Sequence, residues 1–193
     1  MGLFDRFSTR PARSSTSGDS SGQDALALID QGNALEDKGL LDQALDCYKA
    51  AIRQAPTLAR AHLNHGNVLL EMGNAEGALA AYATALAHNP DYAAAHYNIG
   101  NAFLKSGRPQ AALAAYDKAV ELKADFADAH AARGNVLHDL GQLDEAQASY
   151  RLALALKPDQ AEIHYCLGRI LTRLRRLDEA AECFRRAGML RPD

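Results

Sequence analysis

Seven histidines and three cysteines are the residues of this 193-residue chain with the most chemistry to offer. Four of the histidines, His62, His96, His130 and His164, recur at intervals of 34 residues. In a stack of helices that interval sets neighbouring copies roughly 10 Å apart, about one helix diameter. Zinc needs its ligands about 2 Å from one centre, so the four cannot converge, and each is expected to pack between helices. His62 and His65 are i, i+3 neighbours, close enough to share a surface ion. Cys47, Cys166 and Cys183 make no CxxC pair and read as small buried hydrophobes in a reducing compartment. No Ser-His-acid or Cys-His set has a supporting context, and the recurring glycines lie 34 apart rather than in a phosphate loop. The chain is therefore read as non-enzymatic, with no metal and no cofactor.

The interval that separates the histidines organises everything else. Ala93–Phe126 meets itself when moved 34 residues either way, and the register extends over units 25–58, 59–92, 93–126, 127–160 and 161–193. Such a period marks a stack of supersecondary units. With slots numbered 1–34 from Ala25, slot 8 is Gly32, Gly66, Gly100, Gly134 and Gly168, and slot 20 is alanine in all five copies. Slot 24 is Tyr48, Tyr82, Tyr116, Tyr150 and Phe184. Slots 4, 7, 8 and 11 share one helical face, and so do 20, 24 and 27. Each unit thus holds two amphipathic helices whose small residues allow close approach, while the aromatic fills the space beside them.

The punctuation agrees. Gly39, Gly73, Gly107 and Gly141 suit the left-handed end of a first helix. Asp42, Asp144 and Asp178 suit the positive start of a second. Pro56, Pro90, Pro158 and Pro192 stop the second helix. First helices are expected over 25–38, 59–72, 93–106, 127–140 and 161–174. Second helices are expected over 42–54, 76–88, 110–122, 144–156 and 178–190.

This pattern resembles the tetratricopeptide repeat (TPR) family over residues 25–193. The resemblance implies an all-α fold, a right-handed α-solenoid of five helix-turn-helix units. It also implies a protein-interaction module whose first helices line a concave groove for an extended peptide or a partner helix. The tryptophan common at slot 4 is replaced by histidine, and slot 7, usually leucine, is Gln31, His65 and Arg133 in three copies, so a wetter core is expected there. Family members that clamp a C-terminal carboxylate use lysine at slot 5 of the first repeat, where Ile29 stands, so that specificity is not expected.

At 100° per residue, slots 2, 6, 9 and 13 lie opposite the buried stripe, flanked by 5 and 12. They carry Asn33, Asn67, Asn101 and Asn135 at slot 9, Arg169 in the fifth copy, and Asn64 and Asn98 at slot 6. Asparagine is a poor helix former, so propensity does not explain the row. An amide both donates and accepts, which suits the backbone of an extended peptide; it equally suits bracing between neighbouring first helices. The row is similar to the asparagine ladder of the O-GlcNAc transferase TPR superhelix. Around it, Asp30, Glu36, Asp37 and Glu71 make one end acidic. Leu63, Leu70, Tyr97 and Leu104 make the middle apolar, with Lys105 beside them. Arg169 and Arg173, beside Tyr165, make the other end basic. A ligand with an apolar centre and oppositely charged ends is expected.

Net charge of −3 gives no bulk case for nucleic acid, and the seven arginines of the last unit do not recur along the stack as RNA readout by repeats requires. No stretch approaches a membrane span, and a cytoplasmic chain is expected. Residues 1–24 are expected as a disordered tail, with Leu3, Phe4 and Phe7 as a small apolar cluster. The last unit erodes, with Arg175 for glycine and Ala181 and Gly188 for larger aliphatics. Its open end is read as a modest cap, as a surface for a second copy (a homodimer), or as a junction to a longer enzyme. A glycosyltransferase or methyltransferase carrying a TPR module for substrate recognition or regulation, and a self-assembling structural unit, are the alternatives.

Overall fold

The computed structural model describes residues 17–191, with side chains from Gly22 onward. The expectations that fall on residues 1–16 and on Pro192 lie outside the described residues. The described residues form ten helices and no strand: α1 (Ser17–Glu36), α2 (Leu41–Gln54), α3 (Ala59–Glu71), α4 (Ala75–His88), α5 (Ala93–Lys105), α6 (Pro109–Leu122), α7 (Ala127–Asp139), α8 (Leu143–Leu156), α9 (Ala161–Arg173) and α10 (Leu177–Leu190). From α2 to α10 every boundary falls within one residue of the expected one. The difference is α1, which begins at Ser17 rather than Ala25, so the expected tail is corrected over 17–24. Once Ala25 and Ile29 anchor the helix in the core, each residue added upstream gains a hydrogen bond without a new nucleus.

Each odd-numbered helix packs antiparallel on its successor, and each even-numbered helix packs on the next hairpin. The close approach within a hairpin depends on slot 8. A Cβ built on Gly66 would stand 2.5 Å from Tyr82 Cε1, and one on Gly32 would meet Tyr48 at the same distance. The Tyr48, Tyr82 and Tyr116 rings are wholly buried in the space the glycines leave, and Tyr150 nearly so.

The turns follow the chemistry of their residues. Gly39, Gly73, Gly107 and Gly141 adopt φ between 70° and 83°, and Arg175 takes the same left-handed turn at φ 61°. The expected acids sit in the first turns of α2, α8 and α10 and act through the helix dipole. Among the described residues, the one side chain that caps a second helix is Asn74, whose Oδ1 accepts the Gly77 amide at 2.9 Å.

The slot-4 histidines hold successive repeats in register. His62 Nε2 lies 2.7 Å from the Pro56 carbonyl oxygen, and His130 and His164 each lie 2.9 Å from the carbonyls of Ala124 and Pro158. His96 makes the longer version to Pro90, at 3.4 Å. Each therefore ties the start of a first helix to the loop before it. The wetter core expected at slot 7 is realised at Arg133, which reaches the fully buried Ser149. Gln31 stays at the surface. Arg133 spans surface and core, its Nε donating to Asp117 Oδ1 at 2.6 Å and its guanidinium to Ser149 Oγ at 2.5 Å. Burial lowers the His65 imidazole below its ordinary pKa, followed by the charges of Lys49 and His62.

Candidate peptide-binding groove

The exposed face of the first helices is built on a repeated pair of residues 15 positions apart. In each of the first four hairpins the slot-24 tyrosine threads back between the two helices and hydrogen-bonds the slot-9 asparagine. Tyr82 reaches Asn67 Oδ1 at 3.0 Å, Tyr116 reaches Asn101 at 2.7 Å and Tyr150 reaches Asn135 at 2.6 Å. Tyr48 lies 2.8 Å from Asn33 Oδ1 and 2.7 Å from Glu36 Oε2, and its single proton serves one of them at a time. Burial pushes all four phenols well above their ordinary value, so they remain donors throughout the neutral range; the Glu36 carboxylate adds to the effect at Tyr48.

A second set of bonds runs along the stack. Asn64 Nδ2 donates to Asn33 Oδ1 and Asn98 Nδ2 to Asn67 Oδ1, each at 2.8 Å. The asparagines thus do brace neighbouring first helices, over repeats one to three. The brace stops there, because slot 6 is Ala132 in the fourth repeat and Cys166 in the fifth. Burial raises the Cys166 thiol, and no disulfide engages the three cysteines.

The flanking residues are less available than their slots suggested. Leu63 and Leu70 are buried in a core cluster with Ala78, Tyr82, Ala85, Ala95 and Ala102 rather than lining an apolar groove. Tyr97 is half-buried against Tyr116 and Phe126, with ring centroids 5.7 and 5.1 Å away. Leu104 alone of the expected apolar middle is exposed. Lys105 Nζ donates to the Leu70 carbonyl at 3.0 Å, which satisfies the C-terminal end of α3. Ile29 is fully buried.

At the acidic end, Asp30 pairs with Arg60 at 3.5 Å and Glu36 is engaged by Tyr48, while Asp37 and Glu71 are exposed. At the basic end, Arg169 and Arg173 are exposed and enter no ion pair among the described residues. Arg169 shares a surface hollow of about 400 Å³ with Asn135, His138, Asp139 and Glu162. Tyr165 is 53% exposed and stacks on Phe184, their centroids 5.6 Å apart. No group of three or more metal-ligating side chains converges among the described residues, and His62 instead faces His88 at 5.6 Å.

Family comparison reads the same architecture. Models described as "Tetratricopeptide repeat" match residues 63–129, 115–148 and 161–193, and one described as "TPR repeat" matches 32–73 and 134–174. The chain belongs to the tetratricopeptide repeat family. No curated protein matches it in sequence. Among solved structures, it is similar to TTC0263, a thermophilic TPR protein of Thermus thermophilus, at 27% identity and a TM-score of 0.70 over 88% of this chain and 92% of that one. It is similar to YrrB, described as "a TPR protein with an unusual peptide-binding site", at 26% identity and a TM-score of 0.68 over 91% and 90%. It is also similar to MamA, at 25% identity and a TM-score of 0.72 over 88% and 92%. The fold is thus a right-handed TPR solenoid, an architecture that serves as a protein-interaction scaffold. No described helix is long and apolar enough to cross a membrane.

Hydrogen bonds join Asn33 to Asn64 and Asn67 to Asn98, and Asn101, Asn135 and Arg169 occupy slot 9 of the following first helices, with Arg173 one turn beyond Arg169. The tyrosine hydroxyls beneath the slot-9 asparagines are the residues the sequence reading missed. Their signal was present in the constant 15-residue spacing of Asn33–Tyr48, Asn67–Tyr82, Asn101–Tyr116 and Asn135–Tyr150. In the fifth copy the two partners change together, to Arg169 and Phe184.

Proposed function

We propose that this chain binds an extended peptide segment of a partner protein along the first-helix track from Asn33 to Arg173. The observation that supports the reading is the orientation of the slot-9 amides. Buried tyrosines hold each Oδ1 from below, so every Nδ2 points away from the core on a preformed surface. Preorganisation lowers the ordering cost of binding, and amides spaced by one repeat suit a backbone rather than one particular side chain. The likeness to YrrB, a TPR protein with an unusual peptide-binding site, supports the same class of ligand.

The test uses a phage-displayed library of random twelve-residue peptides selected on the whole chain. Leu104 is exposed on the first-helix track and Leu152 is exposed on α8. Leu104→Glu should weaken a selected peptide at least tenfold, and Leu152→Glu should leave it within twofold. The reverse ranking would move the site to the second helices.

One further surface favours self-association as a second reading. Phe184 is 36% exposed at the end of the stack, with Leu177 and Met189 more exposed still. Phe184 lines a hollow there with Tyr165, Ala187 and Gly188, rimmed by Glu162 and Arg191. Sedimentation over a concentration series should show a dimer that Phe184→Glu abolishes. A monomer at every concentration would remove this reading.

A further inference from the structure

Each end of the stack exposes a face that the interior junctions bury, and the two faces are the two halves of one junction. Where the first hairpin meets the second, Tyr48 and Ala51 at slots 24 and 27 share a core cluster with Ala61 and Val68, at slots 3 and 10 of the next first helix. The second and fourth junctions repeat that arrangement. On α10 the same two slots hold Phe184 and Ala187, the first exposed and the second half-buried. On α1, slots 3 and 10 hold Ala27 and Ala34, and both are exposed, with Gln31 between them on one stripe. Their copies at slots 3 and 10 of the four later first helices are at most 6% exposed. Ala25, Ile29 and Gly32 remain buried, so the cover that α1 lacks is the one a preceding hairpin would supply.

We infer that copies of this chain join head to tail, the first hairpin of one stacking on the last hairpin of another in the register the repeats already use. The inference rests on the self-association reading above and names the face that Phe184 meets. Charge agrees with that register. Within the chain, slot 6 of one first helix bonds slot 9 of the helix before it, as Asn64 bonds Asn33 and Asn98 bonds Asn67. Between copies the same slots bring Asp30 to Arg169. The Asp30 side chain is 71% exposed, and Arg169 has no carboxylate at ion-pair distance among the described residues, although Asp139 and Glu162 line its hollow. Slot 2 against slot 6, the pairing of Arg60 with Asp30 inside the chain, brings the exposed Leu26 to Cys166. Every later first helix starts where the second helix before it ends, so Ser17–Asp24 would run on past the end of α10 rather than across it. The two faces differ, so the contact is heterologous and copies add in series. The dimer expected above is then the first member of that series.

Blocking one face at a time provides the test. Ala34→Glu charges the α1 face and Phe184→Glu the α10 face. In sedimentation over a concentration series, the wild type should pass beyond the dimer, and each variant alone should stay monomeric. An equimolar mixture of the two variants should form a dimer and stop there, because one keeps a working α10 face and the other a working α1 face. Ala34 is exposed, so its variant should keep the wild-type melting temperature and report on the contact even where Phe184→Glu frays α10. Asp30→Arg and Arg169→Asp should each raise the dimer dissociation constant at least threefold, and the two together in one chain should associate more tightly than either alone. Losses that multiply in that double variant would overturn the register. An Ala34→Glu chain that dimerises while Phe184→Glu does not would mean that two α10 faces meet each other, which overturns the head-to-tail contact and leaves self-association standing. A wild type that is monomeric at every concentration would overturn both.

Discussion

Tyr116 and Phe184 occupy the same slot of the third and fifth repeats, and their surroundings differ in hydrogen bonding and in cover. Tyr116 is wholly buried, its hydroxyl tied to Asn101, its ring wedged on Gly100 and roofed by the helices of the fourth repeat. Phe184 has no hydroxyl, faces no asparagine and is partly exposed, because among the described residues no sixth hairpin covers it. A repeat in this solenoid is therefore completed by its successor, and its polar pair is a unit that is kept or lost whole. Asn and Tyr occur together four times; Arg169 and Phe184 replace both at once. Such quasi-one-dimensional coupling makes interior and terminal repeats respond differently to the same change.

The largest expected contrast is alkaline. Tyr48, Tyr82, Tyr116 and Tyr150 have folded-state pKa values raised above the ordinary 10.0 by burial. A folded pKa above the unfolded one contributes stability that is complete below pH 10 and lost as pH rises beyond it. Melting temperature should therefore fall steeply above about pH 10, with tyrosinate absorbance and helix loss appearing together. Tyrosinate absorbance exceeding that of the three tyrosines outside this set, Tyr92, Tyr97 and Tyr165, while helicity persists would show that these hydroxyls are not held as described. The fifth repeat has no hydroxyl at slot 24, so a fragment-free comparison comes from Phe184→Tyr, which should leave the alkaline transition unmoved.

Truncation sharpens the same comparison at neutral pH. Tyr82→Ala should cost about 3–5 kcal/mol, since it empties a fully buried aromatic site and strips Asn67 of one donor. Phe184→Ala should cost about half as much, because part of that ring is already in water. Urea midpoints for the two variants decide the matter, and equal losses would mean that the last repeat is as tightly completed as the interior. At the glycines, Gly66→Ala should destabilise by about 1–3 kcal/mol through overpacking against the immobile Tyr82 ring. Gly168→Ala meets Phe184 at 2.8 Å, but that ring can yield toward solvent. Its cost should be smaller, offset by the helix propensity of alanine, worth about 1 kcal/mol over glycine.

What was legible in the sequence divides along the same physical line. The 34-residue period and the 3.6-residue stripe placed nine helices to within a residue, because burial of Gly, Ala and Tyr recurs without ambiguity. The start of α1 was not legible, since composition reports what Ser17–Asp24 can bury and not whether a helix anchored at Ala25 extends through them. The side chains of the candidate track were legible as a row but not in their commitments. Slot angles placed Leu63 and Leu70 beside the groove, whereas packing against both their own second helix and the next first helix buries them. Arg133 was legible as a polar residue at a core slot, but its partners Asp117 and Ser149 on two neighbouring helices were not. Which asparagines brace their neighbours depends on contacts between repeats, which periodicity alone does not count.

The smallest effect concerns the one turn that departs from the repeat. Arg175 holds φ 61° where the four preceding units place glycine at 70–83°. The left-handed region costs a residue with a Cβ about 1 kcal/mol or more, while glycine gives part of that back by having more freedom to lose on folding. Arg175→Gly should therefore stabilise the chain by about 0.5–1 kcal/mol, and Gly141→Arg should destabilise it by at least as much. Because the fifth hairpin lacks a successor among the described residues, the gain should concentrate in α9 and α10. Native-state amide exchange would show it as slower opening of those two helices, with α3 to α6 little changed. If the gain were instead shared evenly by all ten helices, the fifth repeat would be as tightly coupled to the stack as the third, and the contrast between Tyr116 and Phe184 would be one of local packing alone.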